Sequence, residues 1–281
     1  LVRFGASYQN FSQKEVISGE DKAYYDTALF VTNYNKLGLF APLATIITES
    51  IRYDRYSAFD NALTGKIGLK QYLYDSYYVS ANLGTGYNIP TIGQLYGPWS
   101  PNPNLEPEKA MTADLTLGND TLWVTGFYNT IDNLIEYGFP MYTNVAGKST
   151  LKGVEVGYKD YFANLVGVTA NYTYLDAKDA DNITLARRPE QQVDASVVYY
   201  AAENFDLGLN GQYIGERYDA ADKQGPQTGR YVLVNFVTNV KVNDTISVYG
   251  KVDNITDKYY QTVDGYATAG RSLYLGLNAK Y

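Results

Sequence analysis

The last residues of the chain alternate strictly between apolar side chains and polar or small ones. Leu273, Leu275, Leu277, Ala279 and Tyr281 fall on one face of an extended backbone, and the residues between them fall on the other. A period of two is the period of a β-strand whose two faces meet different surroundings. The pattern predicts a final strand with one apolar face.

The same alternation recurs back to the start of the chain, with turn-forming residues between the runs. It predicts about fourteen strands, many of them at least the roughly 9–11 residues that a tilted strand needs to cross a bilayer. The predicted strands are 2–11, 24–34, 44–56, 63–69, 77–88, 109–118, 121–135, 154–158, 166–174, 193–199, 205–213, 231–236, 246–252 and 271–281.

The connections between these runs alternate in length. Tight turns are expected at 75–76, 119–120, 162–163, 202–204 and 243–244, and long loops near 12–23, 88–108, 136–143, 177–188, 218–229 and 255–270. Two segments depart from the rule, the short loop at 57–61 and the longer turn at 35–42. Alternating turn lengths are typical of outer-membrane barrels, whose long loops face outward. The last strand would then end in the periplasm.

A soluble β-sandwich also alternates, but its strands are typically about 5–6 residues long. The 30 tyrosines favour the membrane, since many recur at predicted strand ends, as in an interfacial aromatic girdle. Examples are Tyr172, Tyr174, Tyr199, Tyr200, Tyr213 and Tyr218. The predicted fold class is therefore all-β, a transmembrane antiparallel β-barrel.

The composition excludes several kinds of chemistry. The chain has no His and no Cys, so catalytic pairs and zinc sites built on those residues are impossible. A net charge of −7 disfavours a nucleic-acid partner. Asp176, Asp179, Asp181 and Asn182 share a loop but lack the EF-hand pattern, so they are interpreted as solvated loop residues. Neither an enzyme nor a bound metal or cofactor is expected in this chain.

Several motifs together resemble one family. They are Gly-Tyr-Asn-Ile-Pro at 86–90, Leu-Tyr-Gly at 95–97, Asn-Pro-Asn-Leu-Glu-Pro-Glu at 102–108, Lys-Gly-Val-Glu at 152–155 and the run 252–260. In these motifs the chain resembles the TonB-dependent outer-membrane receptors. Within the family it is most similar to cobalamin receptors. The segments that carry this likeness are 95–97, Arg187 and Arg188 before the pair Gln191 and Gln192, 215–219 and 265–271.

The resemblance implies a larger molecule. A receptor of this family has about 22 strands around an N-terminal plug. Residues 1–281 are therefore expected to be the C-terminal part of the barrel, without the plug and the first strands. The family's plug-borne contacts and any Ca²⁺ site in the early strands would lie in that other portion.

The implied function is TonB-dependent uptake of a scarce large nutrient, most similar to cobalamin uptake. Its implied partners are TonB through the plug, the barrel-assembly machinery that reads Leu273 to Tyr281, lipopolysaccharide and outer-membrane lipid. A ferric siderophore is the alternative ligand. Many siderophores are anionic, and the negative net charge of the chain disfavours an anionic ligand. A passive channel of fourteen strands is a further alternative.

Ligand contacts are expected from rim and loop residues, because the wall of a barrel is rigid. The candidates are Tyr87, Asn88, Tyr96, Trp99, Arg187, Arg217, Tyr218, Tyr266 and Arg271. Arg187 and Tyr266 match motif positions of the cobalamin receptors and are the strongest of the set. A structural role, such as an arginine paired with a carboxylate or a tyrosine in the girdle, competes at each position.

Overall fold

The backbone is almost entirely β-strand. The computed structural model describes residues 1–14, 19, 21–40, 43–74, 76–138 and 140–280. The strands are β1 Val2–Gln13, β2 Lys22–Phe40, β3 Leu43–Tyr56, β4 Ala62–Tyr74, β5 Tyr77–Asn88, β6 Glu108–Gly118, β7 Leu122–Asp132, β8 Ile135–Gly138, β9 Met141–Asn144, β10 Lys148–Phe162, β11 Val166–Lys178, β12 Gln191–Ala202, β13 Phe205–Ile214, β14 Tyr231–Lys241, β15 Ile246–Asp253 and β16 Ser272–Ala279; the helix α1 is Ile92–Tyr96.

Fourteen of the strands among the described residues form one sheet, in which each strand pairs with the next along the chain. The exceptions are β8 and β9, which form a separate hairpin, so that β10 follows β7 in the strand order. The predicted all-β class and the prediction of about fourteen strands for the large sheet are confirmed.

Two predicted connections were wrong. The segment 136–143 was expected to be a loop, but the hairpin of β8 and β9 occupies most of it, with Phe139 outside the described residues. The segment 35–42 was expected to be a long turn, but β2 continues to Phe40. Asn and Lys disfavour strands locally, whereas pairing with β3 gives their backbone groups hydrogen-bond partners and overrides that preference. Asp75, part of a predicted tight turn, also lies outside the described residues.

The chain divides into two compact units. The first unit contains residues 1–117, 126–152 and 177–183, and the second contains 118–125, 153–176 and 184–281.

One face of the strands in the first unit is apolar and exposed. Phe4 pairs with Val31, which pairs with Ile51, and Leu29 in the next row pairs with Tyr53. Phe4 is 84% exposed and Leu29 is 65% exposed. A contiguous apolar surface of this kind marks a face that meets lipid or another protein rather than water.

The opposite face of the first unit is polar. Arg52 donates from Nε to Asp54 and from Nη2 to Ser7 Oγ, at 2.8 and 3.1 Å. The buried carboxylate of Asp26 lies 3.6 Å from the same guanidinium group. Buried charges require such partners, so the polar face is held by side-chain bonds.

The second unit repeats this arrangement. Val168, Val197, Leu209, Phe236 and Val252 pair in sequence across five neighbouring strands. The other face carries Asp194, which accepts hydrogen bonds from Gln192 and Gln212 at 2.7 and 2.9 Å. Each strand therefore separates an apolar face from a polar one, as the alternation predicted.

The proposed assembly segment lies on the apolar face. Leu273, Leu275 and Leu277 of β16 are 69%, 77% and 64% exposed, and Ala279 is exposed as well. Tyr281 lies outside the described residues. The exposed leucines suit contact with lipid, and their role in assembly stays a prediction.

The helix α1 lies within the long loop between β5 and β6. It begins with a capping box, in which Thr91 and Gln94 each bond the other's backbone N–H. Ile92 and Leu95 are buried, and they pack with Tyr24 and Leu105 into a small apolar core. Within the described part of the chain, no helix has the length and apolarity required to cross a membrane.

Candidate functional site

A cavity of about 690 Å³ lies in the first unit, where β1, β2, β3 and β5 meet the start of the long loop. We call it the aromatic cavity. It is lined by Gln9, Asn10, Phe11, Ser12, Gln13, Tyr24, Tyr56, Tyr87, Asn88, Ile89, Thr91, Ile92 and Gly93. None of these described lining residues carries a charge. A cavity of this size, with apolar walls and a few polar groups, is typical of a small-molecule site.

The rings of the aromatic cavity are held by one another. Phe11 lies 5.0 Å from Tyr24, and Tyr56 lies 5.6 Å from Tyr87, between ring centroids. The hydroxyl of Tyr24 donates to Pro90 O at 2.8 Å, and that of Tyr87 donates to Asp60 O at 3.1 Å. The rings are thereby fixed, which lowers the entropic cost of binding a ligand against them.

Asn88 contributes a fixed amide group to the aromatic cavity. It ends β5, and its Nδ2 donates to Glu108 Oε2 at 2.7 Å. Glu108 begins β6 on the far side of the long loop. The two ends of that loop are therefore tied together beside the cavity.

The other two candidates of the first loop do not line the cavity. Tyr96 ends α1 and packs beside the small apolar core, with Lys22 Nζ 5.6 Å from the centre of its ring. Trp99 is 82% exposed. The structure therefore brings Tyr87 and Asn88 together and leaves Tyr96 and Trp99 apart from them.

Three loops of the second unit form another group, which we call the loop cluster; it comprises 184–190, 215–230 and 255–271. Arg187 has φ 60°, and its Nε and Nη2 donate to the two carboxylate oxygens of Asp219 at 2.8 and 3.1 Å. Arg217 donates to Thr228 and to Gln261 O at 2.9 and 3.2 Å. Both candidate arginines thus hold loops together.

The remaining candidates occupy the same loop cluster. Tyr218 forms an isolated β-bridge with Gln227, and its carbonyl oxygen accepts the N–H of Arg187 at 2.8 Å. Tyr266 is 71% exposed. The backbone N–H of Arg271 donates to Asp257 Oδ1 at 2.8 Å, and Arg271 itself is exposed. Tyr266 is therefore the candidate of this cluster with the most ring surface available to a ligand.

A second set of charges strengthens the loop cluster. Lys223 Nζ lies 2.8 Å from both Glu190 and Glu216, and Arg230 also pairs with Glu216. The hydrogen bond from Lys223, and secondarily that from Arg230, holds the pKa of Glu216 below its ordinary value, although desolvation opposes the shift. The bonds to Glu190 and Glu216 raise the pKa of Lys223.

The sequence analysis missed several residues of the aromatic cavity. Gln9, Asn10, Phe11, Tyr24 and Tyr56 lie near the ends of β1, β2 and β3 that adjoin loops. The one available signal was the position of Tyr24 and Tyr56 at strand ends beside loops. A period of two separates the two faces of a strand, but it does not tell which face a loop will cover.

Among the described residues no group of three or more acidic side chains could hold a metal ion. In the loop 177–183, Asp179 Oδ1 accepts the backbone N–H groups of Asp181 and Ile183, both at 2.9 Å. This carboxylate closes a turn.

A sequence model of the family described as TonB dependent receptor-like, beta-barrel, matches residues 3–255. The chain belongs to this family. TonB-dependent receptors are transport receptors of the bacterial outer membrane, and their barrel strands carry an apolar face toward lipid and a polar face toward the lumen. The exposed apolar rows and the opposite polar faces described above are therefore the lipid and lumen faces of receptor strands.

Among curated relatives, the vitamin B12 transporter BtuB of Vibrio cholerae serotype O1 is 30% identical over 284 aligned residues. The alignment covers 94% of this chain and 46% of the relative. The chain thus spans about half the length of the curated relatives it matches.

Solved structures of two siderophore receptors share the fold. A variant of the ferric enterobactin receptor PfeA of Pseudomonas aeruginosa, in complex with enterobactin, superposes with a TM-score of 0.75 at 17% identity, over 99% of this chain and 51% of that one. The siderophore receptor PirA of the same organism gives a TM-score of 0.72 at 18% identity, over 99% and 51%. These similarities concern the fold alone.

Proposed function

We propose that this chain is part of a receptor that imports cobalamin across the outer membrane with energy delivered through TonB. The observation that carries the choice of ligand is the aromatic cavity, whose described lining combines aromatic, aliphatic, amide and hydroxyl groups without a charge. Cobalamin is a large molecule with many carboxamide groups, which amide and hydroxyl side chains can bond and ring faces can pack against.

The 30% identity to a vitamin B12 transporter supports the same ligand. A ferric siderophore is the second candidate, supported by the fold shared with the ferric enterobactin receptor. Many such ligands are anionic and favour positive potential in the site. Membership of a receptor family weighs against a passive channel of fourteen strands.

The proposal includes an orientation and partners. The long loops and the aromatic cavity would face outside, and β16 would end in the periplasm. TonB would act on a plug domain, the barrel-assembly machinery would read Leu273 to Tyr281, and lipopolysaccharide would surround the outer rim. In the first unit, ligand contact would come from Tyr87 and Asn88 in the aromatic cavity. In the second unit, Tyr266 would present its ring to a ligand, and Arg187 and Arg217 would hold the loops of the loop cluster.

Equilibrium titration of the full-length receptor tests the ligand. We expect cobalamin to bind with a Kd near nanomolar, about −12 kcal/mol. Asn88→Ala should weaken binding, because it removes an amide from the aromatic cavity. Asn278→Ala is the matched control, since Asn278 lies in β16 and does not line that cavity. Binding of ferric enterobactin without binding of cobalamin would overturn the choice.

A further inference from the structure

The motif Asn-Pro-Asn-Leu-Glu-Pro-Glu at 102–108 marks the family but has no role in the proposed function so far. In the structure three of its residues, Asn102, Glu106 and Glu108, bond to one neighbour, the segment 133–147 that contains the hairpin of β8 and β9. Asn102 Nδ2 donates to Tyr142 O at 2.9 Å, and the N–H of Tyr142 donates to Ser100 O at 3.2 Å. The motif therefore joins the long loop to the hairpin.

The side-chain amide of Asn144, in the hairpin, makes three hydrogen bonds at this contact. Its Nδ2 donates to Glu106 O and Asn133 O at 2.9 and 2.7 Å, and its Oδ1 accepts the N–H of Glu106 at 2.9 Å. Asn133, at φ 59°, returns a bond from its own Nδ2 to Glu106 Oε2 at 3.0 Å. The reciprocal pattern imitates the pairing of two strands, with a side-chain amide in place of backbone groups.

Glu108 extends the connection to the aromatic cavity. Its Oε1 accepts the N–H of Ile135 in β8, and its Oε2 accepts Nδ2 of Asn88 in the cavity lining, both at 2.7 Å. One carboxylate thus bridges the hairpin and a candidate ligand contact. Both are charge-assisted hydrogen bonds, which are about twice as strong as neutral ones.

The apolar residue of the motif, Leu105, also connects the long loop to the hairpin. Leu105 is 4% exposed and belongs to the small core with Tyr24, Ile92 and Leu95, against which Ile135 and Tyr142 of the hairpin also pack. Apolar packing and polar bonds therefore connect the same segments.

We propose that this motif is a clamp, in which Glu108 and Asn144 are positioning residues. They make the long loop 88–107 and the hairpin move as one body, and they hold Asn88 in place at the aromatic cavity. Events on the hairpin, such as contact with a neighbouring molecule or with a ligand, then alter the cavity. The part of this inference that concerns ligand affinity rests on the proposed function; the joint motion of the two segments does not.

The test compares variants of the full-length receptor by amide hydrogen exchange and by ligand titration. Glu108→Ala removes both bridging bonds, and Asn144→Ala removes the bonds to Glu106 and Asn133. Glu108→Gln keeps an acceptor for Ile135, and its new amide can donate to Asn88 once the amide of Asn88 is flipped. Glu49→Ala is the matched control, because Glu49 of β3 accepts a comparable bond from Asn33 at 2.9 Å and bonds neither the motif nor the hairpin.

For Glu108→Ala we expect amide exchange to rise at least about tenfold in 88–101 and 135–144 together, and ligand affinity to fall about tenfold. Asn144→Ala should raise exchange in the same two segments. Glu108→Gln should restore most of the affinity, and Glu49→Ala should change neither quantity. Retained strand circular dichroism shows that each variant is folded.

Faster exchange in only one of the two segments, or in neither, would overturn the clamp. Faster exchange in both with unchanged affinity would overturn the positioning role. If the unmodified receptor binds no cobalamin, the proposed ligand fails. In that case the exchange experiment still decides the clamp, and ferric enterobactin serves as the probe for the affinity measurement.

Discussion

Arg187 and Asp219 form a two-bonded ion pair between two loops of the second unit, with Nε–Oδ1 and Nη2–Oδ2 distances of 2.8 and 3.1 Å. A guanidinium group matched to a carboxylate in this way holds geometry as well as charge, which a lysine cannot do. The strongest ligand candidate from the sequence is therefore a residue that shapes the loop cluster.

A double-mutant cycle separates these two roles of Arg187. We expect Arg187→Ala and Asp219→Ala to weaken ligand binding by similar amounts, and the double variant to be no worse than either, with a coupling of about 1 kcal/mol. Arg187→Lys should resemble Arg187→Ala. Additive losses would instead show that Arg187 meets the ligand directly. Titration of the four proteins measures the cycle.

The order of the loop 215–230 should depend on pH through Glu216. Its pKa is lowered in the folded loop from an ordinary value of 4.5, so its stabilising contribution is present above that value and is lost as the pH falls through the lowered one. Lys223 has a raised pKa, so its contribution is present below its ordinary value of 10.5 and is lost only as the pH rises past the raised one. Both contributions are in place at neutral pH.

A nitroxide label measures this order, and the chain contains no native Cys to interfere. With the label at Gln224→Cys, we expect little change in mobility between neutral and weakly acidic pH and an increase below Glu216's ordinary pKa. Adding Glu216→Gln should raise the mobility at neutral pH and reduce its acid response. Glu203→Gln, in the tight turn after β12, should leave the profile unchanged. An identical acid response with Glu216→Gln would contradict the assignment.

The two faces of β13 should differ sharply in their tolerance of charge. Leu209 is 51% exposed on the apolar face, whereas the adjacent Asn210 lines a cavity of about 280 Å³ that also contains Asp194. Leu209→Arg should cost about 2–4 kcal/mol of folding free energy near the middle of the bilayer, because arginine is costly on a lipid face. Asn210→Arg should cost less than about 1 kcal/mol, since Asp194 can pair with it. Denaturant titration in lipid vesicles gives both values, and equal costs would contradict the assignment of the faces.

The aromatic cavity should depend on ring area more than on hydroxyl groups. Tyr87→Phe removes only the bond to Asp60 O and should change ligand affinity less than about threefold. Tyr87→Ala also removes the ring that lies 5.6 Å from Tyr56, and should weaken binding by tenfold or more. Tyr128→Ala, in β7 and outside the cavity lining, is the matched control. Similar losses for Tyr87→Phe and Tyr87→Ala would place the hydroxyl, rather than the ring, in the binding interaction.

The structural predictions that succeeded were local ones. Leu207, Leu209 and Gly211 alternate with Asp206, Gly208 and Asn210 whether or not the partner strands are known, and the face of each residue follows from that period alone. The predictions that failed concerned segments whose conformation depends on distant partners. The hairpin at 135–144 is held by Glu106 and Glu108, and the end of β2 by β3.

By itself, the sequence determined the fourteen strands of the large sheet, the two faces of those strands and most of the connections between them, because periodicity and turn chemistry act over a few residues. Only the tertiary structure decided that Asp219 is the partner of Arg187, that Glu108 joins Asn88 to the hairpin, and that Phe11, Tyr24 and Tyr56 share a cavity with Tyr87. The physical reason is that these contacts depend on strand register and on where a long loop folds back. Both are set by the sum of many pairings between residues far apart in the chain.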